Sequence, residues 1–221
     1  MFRTINWHIK DHIGFLTLNN PPSNAMSSVF FEEFYQWRTK VVYQEKIKAI
    51  IIYGKGRHFS SGAVVDDLVS MIQDSQKQSG DIKTVSTILN KNSRIFLSLK
   101  DLEIPVISAV RGVCLGSAFE LALCADYIIC ADKSVLGLPE STFGLIPGCT
   151  GTYILPQIIP KALAMELILT GRTFSAEQAF NWHLIHQVVP AKQLIDKSIE
   201  TVHRIKNNFH KDLKKINNDA K

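Results

Sequence analysis

The sequence predicts an α/β fold with a parallel sheet. Three short, continuously apolar runs carry that prediction: "KAIIIYG", "IPVISAV" and "DYIICA". Each is the length of a strand and apolar throughout, as a strand buried on both faces requires. Stretches of helical periodicity separate them, and that alternation is the mark of parallel crossovers.

Taken in order, "TINWHI" and "IGFLTL" are β-rich and meet at Asp11-His12, which reads as a hairpin. "NNPPSNAM" is a loop, because its prolines cannot continue a ladder. Ser27 can cap a helix in which Phe30, Phe31, Phe34, Trp37 and Val41 recur at helical spacing. The run to Gly54 is a strand, and "GKGRHFSSGA" after it is a glycine-rich loop. Residues 64 to 100 are mostly helical in pattern, broken by the polar "QDSQKQSGD". "IPVISAV" is the next strand, "RGVCLGSAFELALCA" a loop and helix, and "DYIICA" a third strand. "LPESTFGLIPGCTGT" is a loop. "KALAMELILTG" is a helix closed by Gly171, and "SAEQAFNW" is another, with Ser175 and Gln178 forming a capping box. "LIHQVVP" is a short strand, and a basic amphipathic helix follows from about Ala191. No internal repeat or low-complexity segment is present.

The chain has 221 residues, 46% hydrophobic and 20% charged, the make-up of an ordinary globular protein. Its net charge of +5 is uneven. Arg204, Lys206, Lys211, Lys214, Lys215 and Lys221 face only Asp212 and Asp219, so the body is nearly neutral and the tail is basic. A solvated helix end accounts for such a tail, and a weak polyanion contact is the other reading. Cys114, Cys124, Cys130 and Cys149 form no C-x-x-C, and no His pair completes a zinc pattern. Buried thiols in a reducing compartment are expected. "MFRTINWHIKDH" has no apolar signal core, and no run reaches the ~18 apolar residues of a membrane span. A cytoplasmic protein is expected, with an organelle left open.

"GKGRHFSSG" after a strand invites a nucleotide-loop reading. The third glycine of G-x-G-x-x-G would fall at Phe59, and no Gly-Lys-Ser/Thr follows, so both phosphate fingerprints fail. The loop is either turn chemistry or a presenter of backbone N–H groups around Ser61 to Ala63. His58 and His183 lie beside loops, where a lone histidine is usually structural. G-x-S-x-G is absent. Two carboxylates stand out. Glu120 follows Ser117 by three residues, so it is a capping-box residue or a catalytic carboxylate at a helix start. Glu140 is the only charged residue between Ser134 and Pro160, so it is a surface turn or a carboxyl with a raised pKa, suited to proton transfer near neutrality.

In order along residues 4 to 195, "LTLNNPPSNAMS", "KAIIIYGKGRHFSSGA", "PVISAVRGVCLGSAFELALCADYIICAD" and "LGLPESTFGLIPGCTGTYILPQIIPKALAMELILTGRTFSAEQAFNWHLIHQVVP" resemble the enoyl-CoA hydratase/isomerase (crotonase) superfamily. The resemblance implies repeated ββα units forming a parallel-rich spiral core, with one sheet lying across another and a short helical C-terminal part. It divides the chain into a core, residues 1–190, and a basic C-terminal helix, 191–221, shorter than is usual for the family. It implies hydration of a 2-enoyl thioester to a 3-hydroxyacyl thioester, with coenzyme A as acyl carrier and no prosthetic group or metal. The Ala63 and Ser117 N–H groups would form an oxyanion hole, and Glu120 and Glu140 would hold the water and move protons. Ser61, Gly62, Val64, Gly116, Pro139 and Gly148 would line the substrate. Homotrimers or pairs of trimers are implied, with no membrane or nucleic-acid partner.

Four departures stand against the family pattern. "GSA" replaces a run of glycines, Val64 replaces an acid, a basic residue before "NAM" is missing, and His183 replaces a glycine. They keep open an isomerase, or a dehydratase or decarboxylase acting on a carrier-protein acyl group. A non-catalytic member using its basic tail on RNA is the reading of another class.

Overall fold

In the computed structural model the described residues are 2–43, 46–64, 67 and 83–205. Strands β1 (Ile5–Lys10) and β2 (Ile13–Leu18) form the expected antiparallel hairpin. Its two turn residues, Asp11 and His12, both take positive φ, 52° and 64°. A tight turn of that hand matches the twist of the strands it joins. From β2 the sheet continues in parallel through β3 (Ala49–Gly54), β4 (Val106–Val110), β6 (Tyr127–Ala131) and β9 (Gln187–Val189). The apolar runs are buried on both faces, as their composition demands.

One face carries the larger core. Leu16, Ile50, Ile52, Val106 and Val110 meet α1 (Ser28–Gln36), α2 (Lys83–Leu97) and α3 (Ser117–Leu123). Ser27 Oγ caps α1 by accepting from Phe30 N at 3.4 Å. The apolar stripe of this helix runs on into a wider turn, Trp37–Val41, where Phe30, Phe34, Trp37 and Phe96 pack as one aromatic cluster. The other face presents Phe15, Ile51, Ile107 and Ile129 to Leu194 and Val202 of the helix over 194–205, α7. A 3-10 turn, Ala191–Gln193, leads into it. The rest of the predicted basic helix, like "QDSQKQSGD", lies outside the described residues.

A second sheet of three short strands, β5 (Val113–Leu115), β7 (Val135–Gly137) and β8 (Phe174–Ser175), stands apart from the first. The sequence reads as a loop at 113–115 and shows no element at 135–137 or at Phe174, because two or three residues carry no readable period. A 3-10 turn, Pro139–Phe143, and α4 (Gly151–Ile158) also fall where it shows a loop or no element. Helix α5 (Lys161–Thr170) ends on Gly171 at φ 65°, and α6 (Ala176–Asn181) begins in the Ser175/Gln178 capping box, both as expected. Cys114, Cys124 and Cys130 are buried free thiols, and Cys149 is half-buried. Among the described residues no helix is long and apolar enough to cross a membrane, and no group of three His, Cys, Asp or Glu could hold a metal.

The N-terminal strand is tied down by a charge. Buried Glu33 of α1 accepts from Arg3 N at 2.7 Å, Thr4 N at 2.8 Å and Thr4 Oγ1 at 2.6 Å. Burial opposes its ionisation, but these bonds outweigh burial and hold its pKa below the ordinary value. The stability it contributes is therefore present above the unfolded carboxylate pKa and lost as pH falls through the lower folded one. Glu33→Ala is expected to cost about 2–3 kcal/mol at pH 7. In urea titrations that gap should shrink markedly by pH 3.

Candidate active site

Two arms of chain converge beside the larger core. The first leaves β3 at Gly54, where a Cβ would lie 2.0 Å from His58 O, so the turn admits only glycine. It is stitched on one side to the stretch after β4 (Phe59 N to Arg111 O 2.7 Å, Ser60 N to Val113 O 3.1 Å, Leu115 N to Ser60 O 3.3 Å). On the other side it is held by the loop before α1: Ser61 N donates to Ser23 O, Met26 N to Gly62 O and Val64 N to Met26 O. Ala63 N, between these bonds, makes no backbone hydrogen bond among the described residues.

The second arm is β5 followed by Gly116, the N-cap of α3, at φ 55°. Ser117 is the first residue of the helix, and its N–H has no partner inside it. The arms meet at Gly62, whose φ is 91°. A Cβ there would sit 2.5 Å from Leu115 O and 3.5 Å from Ser117 N. The free N–H groups of Ala63 and Ser117 thus belong to adjoining segments.

Glu120 is fully buried in α3. The predicted Ser117/Glu120 capping box does not form, because Gly116 and not Ser117 takes the cap position. The Glu120 side chain goes instead to the start of α4. Its Oε1 accepts from Cys149 N at 3.0 Å, Thr150 N at 2.8 Å and Gly151 N at 2.8 Å. Three orphan donors of a helix start outweigh the single one a capping box would offer. Glu120 Oε2 is buried without a partner among the described residues. Burial raises the Glu120 pKa, and the three backbone bonds work against that rise.

Glu140 lies in the 3-10 turn after β7. Its Oε1 is 3.0 Å from where a Cβ on Gly116 would be, so a side chain at 116 would crowd the carboxylate. Its Oε2 is also buried and unpartnered. Burial first, and the Glu120 charge second, push its pKa up to about 7. Each carboxylate thus has a buried oxygen with no partner among the described residues, and the two are close enough for the Glu120 charge to act on Glu140. Unsatisfied buried oxygens of this kind call for a ligand or a water.

The remaining expected residues spread around this centre. Gly62 and Gly116 shape the arms. Ser61 turns away, its Oγ donating to Ser23 Oγ at 3.0 Å. Val64 is tied to Met26. Pro139 opens the turn carrying Glu140, and Gly148, under Leu89 of α2, precedes the N–H groups that hold Glu120. His58 accepts from Val113 N at 3.1 Å, a structural bond. His183 takes φ 58° after α6, doing there what a glycine would do.

Two further residues contribute to the site. Asn24, at φ 54°, donates from Nδ2 to Lys55 O, His58 O and Phe59 O and so anchors the first arm. Its signal is an asparagine in a proline- and serine-rich turn, a residue that tolerates left-handed backbone. The thiol of Cys149 lies against the Ser117 hydroxyl and near Glu120. Its pKa is pushed well up, by burial and then by that carboxylate, so it is a neutral thiol.

Comparison with known proteins places the chain in a family. A family model described as Enoyl-CoA hydratase/isomerase matches residues 8–220. A Bacillus subtilis protein named "Probable enoyl-CoA hydratase" is 32% identical over 82% of this chain and 67% of its own length. A carnitinyl-CoA dehydratase of Salmonella enteritidis is 32% identical over 87% of this chain and 70% of its own. The crystal structure of an enoyl-CoA hydratase from Bacillus anthracis superposes with TM-score 0.80 at 30% identity, covering 92% of this chain and 76% of that one. A Thermobifida fusca structure solved in complex with CoA gives TM-score 0.79 at 27% identity, over 91% and 78%. By these matches, and with the parallel-rich crotonase fold that carries them, the chain belongs to the enoyl-CoA hydratase/isomerase family.

Proposed function

We propose that the protein hydrates a 2-enoyl-CoA to the 3-hydroxyacyl-CoA. The observation that carries this reading is the pair of buried carboxylates, each with an oxygen unpartnered among the described residues, and two backbone N–H groups likewise without a partner there. The thioester oxygen sits between Ala63 N and Ser117 N, where charge builds as an enolate. Each donor is worth about 3 kcal/mol in the transition state. Glu120, ionised and steadied by three N–H groups, takes a proton from the water as its oxygen bonds to the β-carbon. Glu140, protonated, gives a proton to the α-carbon. One water is added, and a proton then returns from Glu120 to Glu140 to reset the site. A carboxyl with a pKa of about 7 suits that exchange.

Coenzyme A is the carrier in this proposal, and no prosthetic group takes part. Assembly as trimers or pairs of trimers, a cytoplasmic site of action, and the division into a core over 1–190 and a basic part from 191 belong to the same reading. The exposed apolar side chains Phe143, Ile146, Tyr153 and Leu169 support assembly through the face beside Glu140.

The test is loss of conjugated-thioester absorbance on adding enoyl-CoAs from four carbons upward. No turnover at any length, with the fold intact by circular dichroism, would sink the reading. Hydration needs Glu140 protonated, so its rate should fall as pH rises through about 7. That limb should move to lower pH in Glu120→Gln, if residual turnover is followed, because the like charge beside Glu140 is gone.

A further inference from the structure

A second cavity lies on the opposite face of the six-stranded sheet, at the C-terminal ends of β2, β3 and β4 and under the first turn of α7. Its volume is about 400 Å³. Ala109 makes the room, since its neighbours on this face are as large as Phe15, Ile51 and Ile107. Leu194 and Ile195 of α7 form an apolar wall. His8 stacks on Phe15 at 5.0 Å and Phe15 meets Tyr53 edge-on at 6.5 Å, so the aromatic side is braced.

The polar side is one-signed. Lys55 and Arg111 stand on the rim, and among the described residues no lining side chain is acidic. The Arg111 guanidinium donates to Gly56 O, which holds it at the cavity edge. Thr17 lines the cavity and is only 5% exposed, yet its hydroxyl has no hydrogen-bond partner among the described residues. That hydroxyl is not among the fully buried unsatisfied atoms, so it opens on the cavity, where it can bond a ligand or water.

We propose that this cavity binds a small organic anion, its charged group between Lys55 and Arg111 and its body against Ala109, Leu194 and Ile195. Two cations beside an apolar wall, with no carboxylate among the described lining residues, favour that chemistry over a cation or a sugar. The site lies across the sheet from Glu120 and Glu140, and the proposal does not depend on the activity above.

The probes are phenyl phosphate, benzoate and the neutral benzyl alcohol, titrated calorimetrically into the full chain. Either anion should bind saturably at millimolar or tighter concentration, and the alcohol should not. The two anions separate a phosphate from a carboxylate preference. Lys55→Gln should weaken the better anion about tenfold and Thr17→Val several-fold. Lys10→Gln, a nearby exposed cation outside the cavity, should leave it unchanged. Glu140→Gln and saturating acyl-CoA should leave it in place. Absence of saturable anion binding, equal binding of the alcohol, an equal loss in Lys10→Gln, or displacement by acyl-CoA would each overturn the proposal. Thr17→Val keeps shape and packing, so its result stands even if an Arg111 variant loses the loop.

Discussion

Glu140→Gln is expected to lower kcat for enoyl-CoA hydration by about 10²–10⁴-fold and to leave a protein that is more stable above pH 7. The activity loss follows from removing the proton donor of the proposed hydration. The stability gain follows from linkage. The folded pKa of Glu140 is about 7, against an ordinary value of 4.5. Between those values the folded state binds a proton that the unfolded state has released, so ionising Glu140 costs the fold more as pH rises. Glutamine keeps the shape and removes that cost. Urea denaturation should show wild type and variant alike near pH 4 and the variant ahead at pH 8, by roughly 1–3 kcal/mol. A variant that loses activity and also loses stability at pH 8 would mean that Glu140 is held by contacts and not strained by burial.

Glu120 should behave in the opposite way. Glu120→Ala removes the acceptor for Cys149 N, Thr150 N and Gly151 N. Each orphaned buried donor costs about 1–3 kcal/mol, so a loss of about 3–6 kcal/mol is expected. That is a large part of a domain's whole stability. Glu120→Gln keeps an oxygen in the Oε1 place and should fold, with stability within about 1–2 kcal/mol of wild type, while turnover falls as steeply as in Glu140→Gln. Comparing the Ala and Gln variants by thermal melting and by turnover separates the two jobs of one side chain. If Glu120→Ala melts with wild type, the carboxylate does not support α4.

Much of this was legible in the residues. "KAIIIYG", "IPVISAV" and "DYIICA" are strands because runs of that length and composition have few other places to go. Ser27, Gly171 and the Ser175/Gln178 pair mark real helix ends, since each cap acts on its own neighbours. Helix α4 escaped notice for the converse reason. Its own cap residue, Thr150, makes no side-chain cap bond, and Pro156 sits inside it. The charge that steadies its start arrives from Glu120, some thirty residues earlier, where a local pattern cannot show it. The same distance left two readings of "GSAFE" open. Ser117 and Glu120 have capping-box spacing, but Gly116 can adopt the backbone the cap needs, and the glutamate has a stronger claim elsewhere. Glu140, by contrast, was conspicuous as a solitary charge in an apolar stretch, and the structure gives it the raised pKa that such isolation foretells.

The grip of Glu120 on three N–H groups has a consequence for how chains of this fold should be sorted. A descendant that abandoned chemistry would still need that carboxylate to hold its helix, so its presence testifies to architecture. Glu140 gives the fold little in return for the strain of its burial, and a chain released from catalysis would be free to discard it. Of the two glutamates, the second would therefore be the better witness to a working enzyme of the proposed kind, and residue 140 of this chain is that glutamate.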